Sequence, residues 1–207
     1  MRNYKLEEKL NKYVLNPRED THNFELACSY FDLGQYASAL SYYLRTAELS
    51  INDDLIYESL LCSWDCMAKV GGRPIFERGQ IFQAISQQPH RPEAYNAMCL
   101  WLEFCGDRIE SAEEKYFAMY SYACIGISNM LNNKKFKYYS RYDGYFVFLY
   151  YKALAEWHIG KTQESKDLFL ELINNPNNDL DERYKILVSE TIKNLELSHL
   201  VKNFDGN

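Results

Sequence analysis

Apolar and polar positions along this chain alternate with the 3.6-residue period of an α-helix, in paired stretches separated by breaks that carry glycine. Between Asn23 and Glu48, Leu26, Ala27, Tyr30 and Leu33 share one face, Gly34 interrupts the pattern, and Tyr36, Ala39, Leu40 and Tyr43 restart it. This predicts a helical hairpin in which Gly34 supplies the left-handed turn ending the first helix, with Ala27 and Ala39 as points of close approach. About 34 residues further on the order recurs. Tyr57, Leu60, Leu61 and Trp64 precede Gly71-Gly72, and Ile75, Phe76, Phe82 and Ile85 follow.

A third pair opens at Arg91-Pro92-Glu93-Ala94-Tyr95 and runs through Met98, Cys99 and Leu102 to Gly106-Asp107. It continues as a long helix ending near Asn129, with Ala118, Tyr122, Ala123 and Gly126 on its packing face and an insertion before them. Leu149, Ala153, Leu154 and Trp157 before Gly160, then Ser165, Leu168, Phe169 and Leu172 before Asn174-Asn175-Pro176, make a fourth. Residues 132–144 form the one long loop. The stretch from Asp181, with Tyr184, Ile186, Leu187, Ile192, Leu195 and Leu197, is amphipathic and suits a cap over the last pair. Leu6 to Val14 suits the same task at the start. The expectation is one all-α domain over 1–207: an N-terminal helix (1–19), hairpins over 20–53, 54–91, 92–131 and 145–178, and a capping helix over 179–207.

Composition narrows the classes. Hydrophobic residues make up 47% and charged residues 25%, enough for a packed core and unlike a disordered chain. Eighteen tyrosines lead an aromatic share of 15%, which suits helix packing whose ring edges stay wet. A net charge of −6 disfavours a nucleic-acid partner. No apolar run approaches the roughly 20 residues that span a bilayer, so no membrane is expected. The six cysteines follow a polar start and lack zinc spacing; Cys62 and Cys66, four apart on a predicted helix, read as buried thiols in a reduced, cytoplasmic setting.

No short β-branched strands alternate with the helices and no glycine-rich phosphate loop is present, which argues against an α/β enzyme. His22, His90, His158 and His199 belong to no acid–base or metal spacing, so the reading assigns no catalytic residue, metal or cofactor. Asp179-Leu180-Asp181 reads as a helix N-cap rather than a metal ligand pair.

The order Leu26-Ala27, Tyr30, Gly34, Tyr36, Ala39 and Tyr43 resembles the tetratricopeptide repeat, and four such units cover most of the chain. Thr46 stands where that repeat usually has Ala, Gly79 and Ser165 stand near its second small position, and the third unit is expanded. The resemblance implies a right-handed superhelical array of antiparallel hairpins, an α-solenoid of about four hairpins with terminal caps, whose first helices line a concave groove. Repeat position places Glu25, Cys28 and Asp32, then Glu58, Cys62 and Asp65, then Glu93, Asn96, Leu100 and Glu103 there. Such a groove is acidic. It fits a basic or amphipathic protein or peptide, and lacks the Lys and Arg that grip a terminal carboxylate.

A second order, Arg91-Pro92-Glu93-Ala94-Tyr95, Tyr122-Ala123, Gly126-Ile127, Tyr142-Asp143, Tyr151, Ala153 and Gly160, is similar to the helical repeat module found downstream of family-2 glycosyltransferase domains, often in bacterial and phage proteins. It implies that module without its catalytic domain. Independently of either resemblance, Lys134, Lys135, Lys137 and Arg141, interleaved with Tyr139 and other aromatics, form a mix that can hold an anionic sugar or single-stranded nucleic acid, the plainer alternative being a solvated inter-helix loop. The leading expectation is a non-catalytic interaction scaffold. The alternatives are an accessory module of glycan synthesis and a viral or phage assembly component.

Overall fold

The computed structural model describes residues 4–108, 111–130, 144–175, 180 and 182–195. Among them the regular elements are α-helices and one 3-10 turn, with no strand. The chain divides into two compact units, one ending at His90 and one starting at Arg91.

The first unit holds α1 (Tyr4–Leu15), α2 (Asp20–Asp32), α3 (Tyr36–Leu49), α4 (Asp53–Val70) and α5 (Pro74–Gln87). Each packs on the next. α2 ends where Gly34 takes φ +71°, a conformation that a side chain resists, so the Gln35 N–H reaches back to the Tyr30 carbonyl at 2.9 Å. The chain reverses there. Phe31 meets Tyr36, Tyr30 stacks on Tyr42 and Phe24 meets Tyr43, so positions rise along α3 as they fall along α2. The two helices are therefore antiparallel, and Ala27 and Ala39 between them are fully buried. Thr46, also buried, satisfies its hydroxyl on the Tyr42 carbonyl at 2.9 Å, which lets a Thr serve at a position suited to Ala.

α4 is capped by Asn52, whose side chain accepts from the amides of Asp54 and Leu55, and it ends at Gly71. Gln87 donates to Asp53 at 2.7 Å and Gln88 to Asp54 at 2.8 Å, tying the end of α5 to the start of α4. These two helices also run antiparallel.

The second unit holds α6 (Glu93–Cys105), a 3-10 turn (Gly106–Arg108), α7 (Ala112–Asn129), α8 (Tyr145–His158), α9 (Thr162–Asn174) and α10 (Glu182–Asn194). Tyr95 meets Tyr122, the Cys99 thiol donates to the Met119 carbonyl, and Lys115 reaches the Glu103 carbonyl, an antiparallel register for α6 and α7. α7 starts at a capping box: Ser111 accepts from the Glu114 amide at 3.2 Å, and the Glu114 carboxylate accepts from the Ser111 amide at 3.0 Å. Gly126 of α7 lies directly on the Phe148 ring of α8, and Tyr116 stacks on His158 at 3.8 Å near the other ends. Ser165 of α9 is buried and donates to the Ala153 carbonyl of α8 at 2.7 Å, which explains a small polar residue at that crossing. α10 lies on α8 through Tyr184, whose ring meets Tyr150 and Tyr151.

Candidate functional site

The six carboxylates and Asn96 expected along the groove divide by burial. Glu25 and Asp32 face solvent and Glu103 is half-buried, whereas Glu58, Asp65, Glu93 and Asn96 are each 5% exposed or less. On α4 the reason is that ten consecutive residues, Tyr57 to Cys66, are buried; nearly three turns without a solvent face leave no outward position for Glu58 or Asp65. α6 is likewise buried over most of its length, Glu93 to Cys99 without interruption, and packs on α7 and α8.

In the first unit the carboxylates converge on thiols. Cys28 of α2 is half-buried, and the Tyr43 hydroxyl donates to its sulfur at 3.4 Å. Burial pushes the Cys28 thiol above its ordinary range, and the charges of Asp32 and Glu58 push the same way. Cys62 of α4 is driven well above it by burial first, with Cys28, Glu58, Cys66 and Asp65 adding to the effect. Asp32 of α2 and Glu58 of α4 thus both act on Cys28, while Glu58 and Asp65 of α4 act on Cys62. The two thiols stay protonated, the opposite of the electropositive setting that makes a cysteine nucleophilic. Glu25 lies toward α1, where Lys9 donates to its backbone carbonyl and its charge helps raise the Lys12 ammonium behind the larger influence of Glu8.

In the second unit the corresponding face is a polar interior. Arg91 pairs with Glu93 at 3.1 Å, both almost fully buried. Glu103 accepts from the hydroxyls of Tyr150 at 2.9 Å and Tyr151 at 3.2 Å, and those tyrosines reach Thr191 and Tyr184 of α10. Burial raises both phenols, and the Glu103 charge raises them further. Glu103 therefore joins three helices. Sequence reading overlooked this carboxylate–phenol network because its members are 47 and 48 positions apart. The Tyr150-Tyr151 pair was its one visible sign.

His158, stacked on Tyr116, is held below its ordinary value by burial and then by the charge of Lys115. Lys134, Lys135, Lys137, Tyr139 and Arg141, and the Asp179 and Asp181 pair, lie outside the described residues. Among the described residues no cluster of three or more His, Cys, Asp or Glu is placed to hold a metal ion, and no helix is long and apolar enough to cross a membrane. Compared with known proteins, the chain matches no family model and no curated protein.

Proposed function

We propose that the chain is a non-catalytic scaffold of tetratricopeptide-like hairpins in a right-handed superhelical array, which captures a basic or amphipathic protein segment on the carboxylate face of its first helices. The observation that carries this reading is that Asp32 and Glu58 act together on Cys28 while Glu58 and Asp65 act on Cys62. Carboxylates from two successive first helices, Asp32 and Glu58, both act on the half-buried Cys28, and Asp32 is open to solvent. That face attracts a cationic side chain through complementary potential. It offers no activated nucleophile.

The burial pattern selects the test. Glu25→Lys with Asp32→Lys reverses the exposed charges and leaves the interior alone, whereas reversal at Glu58 disturbs packing. Affinity capture from native host lysate with mass spectrometry is expected to recover a partner on the wild-type chain and lose it on the double variant. Equal recovery on both moves the binding surface elsewhere.

A further inference from the structure

The first unit carries another surface, separate from the carboxylate face. We propose that the groove across α3, α4 and α5 docks an amphipathic helical segment of a partner protein, apolar along one side and ending in Lys or Arg. The groove measures about 580 Å³, within the range of roughly 300–1,000 Å³ typical of binding pockets. Ile56 and Leu60 of α4 form its floor, Leu44 and Ala47 of α3 one wall, and Phe82 of α5 the other. Leu44 and Phe82 keep 36% and 38% of their surface in solvent. On the helical wheel Ile56 and Leu60 stand nearly opposite Glu58 and Asp65, since each residue advances by about 100°. A channel floored by one helix and walled by two is the shape that receives a helix laid in lengthwise.

Charge chooses the occupant. Among the described residues, the only ionisable group lining the groove is Glu48, which is exposed. Gln87, also in the lining, donates to the exposed Asp53 at the first turn of α4, which sets a second carboxylate at the groove's edge. Between them in sequence lies Ile51, 98% exposed, so the same end offers both apolar surface and negative charge. The complement is a run of apolar side chains at i, i+3 or i+4, and i+7, followed by a cation. An acidic segment meets repulsion at Glu48 and Asp53.

The test is selection of a phage-displayed library of random peptides about 16 residues long, roughly four helical turns, on the full chain. Enriched peptides are expected to share that apolar spacing with Lys or Arg at one end. Binding of a synthetic consensus peptide should weaken at least about tenfold, or roughly 1.4 kcal/mol, in Phe82→Glu. It should weaken several-fold in Glu48→Lys, which alters only an exposed side chain, and stay unchanged in Glu25→Lys with Asp32→Lys, so this surface stands or falls independently of the carboxylate face. The proposal is overturned by failure to enrich, by a consensus lacking the apolar spacing or the cation, or by binding that survives Phe82→Glu. Concentration-dependent dimerisation abolished by Phe82→Glu also overturns it, by giving the groove to a second copy of the chain.

Discussion

Two glycines inside helices illustrate how little a residue's identity says without its neighbours. Gly126 sits on the Phe148 ring, and a methyl group there would overlap ring atoms of a side chain that is itself fully buried. Gly79 in α5 has open space where its Cβ would stand. Gly126→Ala is therefore expected to destabilise by about 1–3 kcal/mol through overpacking. Gly79→Ala should stabilise by roughly 0.5–1 kcal/mol, because alanine is the better helix former. Denaturant melts of the two variants, moving in opposite directions, would check the pair. The small-residue pattern made Gly126 legible as a packing position, and the same pattern flagged Gly79; only the α7 to α8 crossing separates them. His158 supplies a pH dependence. Its folded pKa is depressed, so the stability it contributes is present above the ordinary value of 6.5 and is lost as pH falls through the lower folded value. A thermal-melt series should show that acid-side decline in the wild type and a shallower one in His158→Phe.

At the scale of elements, the helices follow local signals. Gly34, Gly71 and Gly160 all take positive φ at the turns the pattern anticipates, because a left-handed residue closes the last turn of a helix without steric penalty. α7 begins at a local signal, Ser111-Ala112-Glu113-Glu114: a capping box that starts a new helix after the 3-10 turn. Hydrogen bonds from the Ser111 hydroxyl and then its amide hold the Glu114 carboxyl below its ordinary value. Ser111→Ala is expected to cost about 1 kcal/mol. Hydrogen exchange checks it, with faster exchange confined to the first turn of α7. The attachment of α10 is a different case, since Tyr150, Tyr151, Tyr184 and Thr191 meet through Glu103 only after three helices pack.

For the molecule as a whole, the division at His90 and Arg91 has a consequence for how it opens. Cys62 and Cys66 are buried in the first unit and Cys99 in the second. Alkylation of the native protein is expected to reach the half-buried Cys105 and Cys124 first, with Cys28, half-buried too but held protonated, behind them. Gly126→Ala should then accelerate labelling of Cys99 while leaving Cys62 and Cys66 slow, as units with their own cores open with their own free energies. Peptide mapping of the labelled thiols reads this directly, and equal acceleration at all three would mean one cooperative body. The sequence by itself determined the helices, their turns, their pairing into hairpins and the small residues between them, because periodicity, glycine turns and caps act within a few residues. Tertiary structure alone decided which carboxylates see water. Glu25, Asp32, Glu58, Asp65 and Glu93 carry the same charge and hold similar places on their helices. Whether each is a surface charge or a buried one depends on which helix covers it, and that is set by contacts between residues far apart in the chain.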